Sequence, residues 1–190
     1  TVVKTSAATS PVVAGTLTAP RPTVRGTPAA GATIAAQPGN WTRGTQLSYQ
    51  WYASGKKING ATKSTYKVAS ALVGKNITVT VTGKKAGYTT NSKGSKATAK
   101  VALSATPTIS GSAKVGQKLT AKPGRWTSGT RLSYQWYANG RAISKATKST
   151  FTVPSNLKGK KITVKVTGTK SGYATVSTTS RATAAVAARR

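Results

Sequence analysis

The stretch Leu47-Ser48-Tyr49-Gln50-Trp51-Tyr52 returns 85 residues later as Leu132-Ser133-Tyr134-Gln135-Trp136-Tyr137. In each copy Leu, Tyr and Trp alternate with Ser, Gln and Tyr, and this period of two is typical of a strand with one buried face. The alternation places Trp51 and Trp136 on the buried face. We therefore expect two copies of one fold, each with a core tryptophan on such a strand.

The two copies align without a gap well beyond this stretch. Residues 41–83 and 126–168 are identical at 29 of 43 positions, so the chain contains an internal duplication. We expect one domain at 22–106 and a second at 107–190. Each is small but long enough for a sandwich core.

The first 21 residues belong to neither copy. Residues 1–12 resemble residues 175–186, so we interpret them as the last strand of a preceding copy, with 14–21 as a Pro-containing linker. A disordered tail of ordinary Thr and Ala composition is the alternative. As an unpaired strand, residues 1–12 could associate with a sheet edge of a neighbouring molecule, although we expect a monomer.

Short strand patterns alternate with Gly, Pro and Asn at close spacing, and helical periodicity is absent, so the pattern predicts an all-β sandwich. Ile77, Val79 and Val81 alternate with threonines and are expected in the core. Ser54-Gly55 and Asn139-Gly140 stand where a tight hairpin turn needs positive φ. The clearest strand patterns of the first copy lie at 32–36, 47–53, 64–68, 75–82 and 96–101.

A wider set of motifs points to a known family. Pro38-Gly39-x-Trp41, the 47–52 stretch, Gly74-Lys75-x-Ile77 and Gly87-Tyr88 resemble bacterial immunoglobulin-like repeats, which are common in secreted and cell-surface proteins of actinobacteria and other Gram-positive organisms. The resemblance implies two tandem immunoglobulin-like β-sandwiches, outside the cell, acting as spacers or adhesive modules. This chain is an acid-free, highly basic version of the pattern.

The composition argues against catalysis and metal binding. The chain has 30 Lys and Arg, no Asp or Glu, no His and no Cys. General acid and base catalysis, zinc sites and calcium sites depend on those missing residue types. A Ser-x-x-Lys spacing at 54–57 falls on a predicted turn and is lost in the second copy. We expect no enzyme, no metal and no cofactor.

The net charge of +30 predicts attraction to anionic polymers, whether teichoic acid, acidic glycan or nucleic acid. If the strands follow immunoglobulin order, basic residues gather at one end of each copy. Tyr52 and Tyr137 are candidates for exposed aromatic contacts. Trp41 and Trp126 could stack a sugar, but closing the end of the core is the favoured interpretation. The candidate polyanion-binding residues are Arg43, Lys63, Lys84, Lys85, Arg131, Lys148 and Lys170.

These features favour a non-catalytic, secreted or wall-associated module that adheres electrostatically to anionic polymers. Two alternatives stay open, an engineered supercharged scaffold for solubility or nucleic-acid binding, and a passive spacer from a larger surface protein. No apolar run is long enough to span a membrane. A dedicated DNA-binding protein is disfavoured because no groove-reading helix or ribbon is evident.

Overall fold

A computed structural model describes residues 13–189. Strand β1 (Gly15–Thr16) precedes the first repeat. The strands of repeat 1 are β2 (Thr23–Arg25), β3 (Thr33–Gln37), β4 (Gln46–Ala53), β5 (Lys56–Lys57), β6 (Thr65–Lys67), β7 (Ile77–Lys84), β8 (Tyr88–Thr89) and β9 (Asn91–Gly94). Those of repeat 2 are β10 (Thr108–Ser110), β11 (Lys118–Lys122), β12 (Arg131–Ala138), β13 (Arg141–Ala142), β14 (Thr150–Thr152), β15 (Ile162–Thr169) and β16 (Val176–Thr179). Each repeat has one short 3-10 helix, at Ser70–Leu72 and Ser155–Leu157.

Each repeat contains a three-stranded and a four-stranded antiparallel sheet, and β8 of repeat 1 pairs separately with β1 in a two-stranded parallel sheet. The sheet orders are β2-β3-β6 and β5-β4-β7-β9 in repeat 1, and β10-β11-β14 and β13-β12-β15-β16 in repeat 2. In immunoglobulin terms these are the orders A-B-E and C′-C-F-G. The chain is therefore all β, and the predicted pair of immunoglobulin-like sandwiches is confirmed.

The predicted core tryptophans lie at the centre of each sandwich. Trp51 and Trp136 are both 0% exposed. The indole Nε1 of Trp51 donates a hydrogen bond to the carbonyl oxygen of Lys63 at 2.9 Å, and that of Trp136 donates to Lys148 at 2.9 Å. Each indole thus buries its apolar surface while its one polar atom keeps a partner.

Two further predictions are confirmed. Ile77, Val79 and Val81 are all 0% exposed, whereas the threonines between them are only half-buried. The hairpin turns have positive φ at Ser54 (44°) and Asn139 (45°), each followed by a glycine that is also in the left-handed region. This is the geometry that a two-residue turn requires.

The last predicted strand was wrong in position. The ladder strand is β9, and residues 96–101 follow it as an irregular edge. The reason is that side chains replace backbone acceptors there. The hydroxyl oxygens of Ser95 and Thr98 accept hydrogen bonds from the backbone N–H groups of Val79 and Ile77, both at 3.0 Å. Repeat 2 does the same with Ser180 and Thr183.

One turn position offers a stability test. Lys145 has φ 59°, where repeat 1 has Gly60 at φ 72°. A side chain in this region costs about 1–2 kcal/mol, and the flexibility of glycine in the unfolded chain offsets part of that. We expect Lys145→Gly to raise the free energy of unfolding of repeat 2 by about 0.5–1 kcal/mol in urea denaturation. The matched variant Gly60→Lys should destabilise repeat 1. A loss of stability in Lys145→Gly would show that the positive φ of Lys145 does not destabilise the turn.

Candidate functional site: the basic surface and the repeat junction

The segment that connects the two repeats is paired with both of them. Ala102 forms a parallel bridge with Ala29 of repeat 1, and Lys100 forms one with Tyr173 of repeat 2. The N–H of Lys100 donates to the carbonyl oxygen of Gly172 at 2.9 Å. A single extended segment therefore belongs to the end of repeat 1 and to the start of repeat 2.

Small apolar side chains fill this junction. Ala29, Ala102 and Val176 are buried together, and Trp126 and Tyr173 pack against them. Apolar burial of this kind holds the two sandwiches in contact.

The same contacts recur before repeat 1. Gly15 pairs in parallel with Tyr88, as Lys100 does with Tyr173. The N–H of Thr18 donates to Thr42 Oγ1 at 2.9 Å, and Leu17 is buried at 3% exposure. Residues 15–18, which fall in the predicted linker, are thus a paired and packed segment. Residues 1–12, on which the resemblance to 175–186 rests, lie outside the described residues.

The loop tryptophans close the ends of the sandwiches. The indole of Trp41 lies directly over Gly83, and a Cβ at that glycine would overlap the ring. Trp126 covers Gly168 in the same way and also faces the junction. Each Nε1 donates to a proline carbonyl three residues before it in the chain. This arrangement agrees with the favoured interpretation and does not present a stacking platform.

In repeat 1 the structure brings together three of the four predicted basic residues. The Nζ of Lys85 donates to the carbonyl oxygen of Arg43 at 2.9 Å and lies 4.5 Å from the centre of the Tyr88 ring. Lys84 ends the strand beside them. Lys63 lies on the segment between the two sheets and is exposed. Lys85 is half-buried, because its side chain lies against the loop that contains Arg43 and donates a hydrogen bond to it.

In repeat 2 the equivalent end faces the junction. The Nζ of Lys170 donates to the carbonyl oxygen of Ser128 at 2.5 Å and lies 4.8 Å from the Tyr173 ring. Lys100 of repeat 1 places its Nζ 5.7 Å from the same ring. Arg131 and Lys148 are exposed, but Lys170 is half-buried at the contact between the repeats.

The two candidate tyrosines lie on the outer face of the four-stranded sheets. Tyr52 is paired with Lys57 and Thr78, and Tyr137 is paired with Ala142 and Thr163. Both rings are half-buried. Each therefore offers part of its ring to solvent beside a surface of serine, threonine and glutamine.

The basic side chains have no acidic side chain to pair with, because the chain has no Asp or Glu. Every described Lys and Arg is exposed except Lys85, Lys165 and Lys170, which are half-buried. The positive field is therefore unopposed over both repeats. Within residues 13–189, no helix is long and apolar enough to cross a membrane.

Sequence reasoning missed one basic cluster. It lies at the end of repeat 2 that is remote from the junction and comprises Lys114, Lys158, Lys160, Lys161 and Arg189. A position-by-position comparison of the charges of the two copies contains the signal, because four of these residues replace neutral residues of repeat 1.

No protein-family model matches the chain, and no curated protein does. Among solved structures the chain is similar to a Ca2+-stabilized adhesin with which an Antarctic bacterium binds ice, at 15% identity over 90% of this chain and 50% of that chain, with a TM-score of 0.36. It is also similar to murine CEACAM1b (9% identity, 89% of this chain and 99% of that chain, TM-score 0.36) and to the tandem Ig repeats of Dlar (14% identity, 91% and 97%, TM-score 0.26). This chain spans half the length of the adhesin structure. With TM-scores this low, the immunoglobulin-like assignment rests on the strand order of the chain itself.

Proposed function

We propose that this chain is a non-catalytic, cationic adhesive module that holds anionic polymers by charge. The observation that carries the proposal is a formal net charge of +30 without any Asp or Glu, on side chains that are nearly all exposed. Such a surface attracts any polyanion, because Lys and Arg contacts release counterions from the polymer. We place the module in a secreted or cell-surface setting, with wall teichoic acid or acidic polysaccharide as the favoured partner class and nucleic acid as a further partner.

Two features of the architecture support this function. The packed junction keeps two basic sandwiches at a fixed spacing, so one long polymer can contact both repeats and gain avidity. Of the predicted contacts, Arg43, Lys63, Lys84, Arg131 and Lys148 are exposed, whereas Lys85 and Lys170 are half-buried and bind loop carbonyls. We propose the first five as polymer contacts. Lys85 and Lys170 should contribute less to polymer binding, because each already binds a loop carbonyl.

A binding panel tests the proposal. At about 50 mM salt we expect heparin, purified wall teichoic acid and duplex DNA to bind with dissociation constants of about 1 μM or below, since charge-driven binding tightens as salt falls. Neutral dextran should not bind, and titration calorimetry measures all four. Tight binding of dextran would overturn the electrostatic mechanism and favour a sugar site at Tyr52 and Tyr137.

The junction favours a second candidate function, a passive spacer. Because one segment pairs with both repeats, the junction fixes the two sandwiches relative to each other, as a spacer requires. Failure of all three polyanions to bind at low salt would favour the spacer.

The contacts of residues 15–18 also bear on domain organisation. We propose domain limits of 22–106 and 107–190, and we propose that residues 13–21 serve repeat 1 as residues 98–106 serve repeat 2, as the terminal segment of a preceding repeat. The matching pairings of Gly15 and Lys100 support this.

A further inference from the structure

The ends of the two repeats that lie away from residue 15 differ in charge. In repeat 1 this end meets repeat 2 and is largely neutral. Four of its positions, Ala29, Val73, Asn76 and Ser104, correspond at the 85-residue spacing to Lys114, Lys158, Lys161 and Arg189. We call these four basic residues together with Lys160 the distal patch.

Backbone contacts bring the distal patch together around the last described residues. Lys114 is bridged to Ala187, and Lys161 is bridged to Ala185. The N–H of Val186 donates to the carbonyl oxygen of Lys160 at 2.9 Å, and the N–H of Gly159, the neighbour of Lys158, donates to Val186 at 2.9 Å. Two separate loops of repeat 2, one with Lys114 and one with Lys158, Lys160 and Lys161, thus converge on one short segment at residues 185–187.

Arg189, the fifth residue of the distal patch, lies beside the loop that contains Lys114. The Arg189 side chain lies beside Gly116, with its Cδ 3.8 Å from the position that a Cβ would take there. All five basic side chains of the distal patch are exposed. Their mutual repulsion has no acidic side chain to offset it.

This end is not suited to receive another sandwich in the way that repeat 1 does. At the observed junction, Ala29 is buried and Ala32 packs beside it against repeat 2. The corresponding residues of repeat 2 are Lys114 and Gln117. Covering an unpaired lysine with apolar surface is costly, so the same packed contact is disfavoured there.

We propose that the distal patch is the principal anchoring site for a linear polyanion that has closely spaced phosphate or sulfate groups. This inference rests on the proposed function and locates it. A linear polymer can place successive anionic groups on cations that lie in two neighbouring loops and on the segment between them, and each contact releases counterions. An anionic lipid surface fits less well, because interfacial binding also uses exposed apolar side chains. Within the described residues the exposed large apolar side chain is Val13, which precedes repeat 1.

Two charge-matched variants of the full chain test the proposal. In the patch variant, Lys114, Lys158, Lys160, Lys161 and Arg189 are changed to Gln. In the control variant, five exposed basic residues of repeat 1 are changed to Gln, namely Arg25, Lys56, Lys67, Lys93 and Lys96. Both variants lose five charges, so a general field effect weakens them equally. The probes are short inorganic polyphosphate, a heparin oligosaccharide and vesicles of phosphatidylglycerol in phosphatidylcholine.

For polyphosphate and heparin we compare the slope of log affinity against log salt with that of the unmodified chain. We expect this slope to become less steep by about 4 in the patch variant and by about 1 in the control. At about 0.1 M salt the patch variant should bind roughly 100-fold more weakly than the control. Polyphosphate and heparin distinguish phosphate from sulfate as the preferred group. Circular dichroism should show both variants folded, because all ten side chains are exposed.

Three other results are informative. Equal losses in the two variants, or a larger loss in the control, would overturn the distal patch while leaving charge-driven adhesion intact. Patch-dependent binding to vesicles without binding to polyphosphate or heparin would overturn a linear polymer as the occupant. If the unmodified chain binds no polyanion, the proposed function itself fails, and the distal patch fails with it.

Discussion

Replacing Trp136 by alanine is expected to lower the free energy of unfolding of repeat 2 by about 3–5 kcal/mol. The side chain is fully buried, its ring is stacked on Phe151 at a centroid distance of 5.5 Å, and its Nε1 has a hydrogen-bond partner. Truncation leaves a cavity and an unpaired carbonyl oxygen at Lys148. A domain of this size is only marginally stable, so repeat 2 should be largely unfolded in Trp136→Ala.

The measurement is urea unfolding followed by circular dichroism, in which the transition of repeat 1 should persist in Trp136→Ala. Tyr137→Ala, at the adjacent position of the same strand, is the matched control. Because Tyr137 is half-buried, we expect a cost of about 1 kcal/mol there. Equal costs at the two positions would contradict the assignment of the buried face of β12.

The central strands could be predicted from the sequence because burial on a strand is a local, alternating property. Trp51, Ile77 and Val79 are recognisable from their neighbours alone. The edge at 96–101 could not be placed by the same rule. Its position depends on the hydroxyl groups of Ser95 and Thr98, which replace backbone acceptors. The alternation of apolar and polar residues does not indicate such hydrogen bonds.

The candidate site was predictable only within one sandwich. Immunoglobulin strand order was enough to place Arg43 next to Lys85, because both belong to loops at one end of the same sandwich. Nothing local to Lys170 indicates that it meets the preceding repeat. That contact arises from the pairing of Lys100 with Tyr173, which depends on how the two repeats pack. The distal patch likewise depends on two loops that meet the segment at residues 185–189 in space.

The second large effect expected is a collapse of polyanion affinity with salt. Each phosphate contact by Lys or Arg contributes about 0.9 to the slope of log affinity against log salt, so six to ten contacts cost about three to five decades between 50 and 200 mM. The exposed, unpaired cations of this chain provide more than enough side chains for such a footprint. Heparin, duplex DNA and wall teichoic acid should all show the steep slope, with little preference for DNA sequence.

Thermal unfolding over the same salt range separates this loss of affinity from a loss of folding. Salt shortens the screening length, from about 10 Å at 0.1 M to about 3 Å at 1 M, so repulsion within a chain of net charge +30 should weaken and the Tm should rise. Affinity and stability are therefore expected to move in opposite directions as salt increases. Affinity that stays flat while the Tm rises would mean that the cations repel one another but do not carry the binding, and contacts at the half-buried faces of Tyr52 and Tyr137 would then have to account for it.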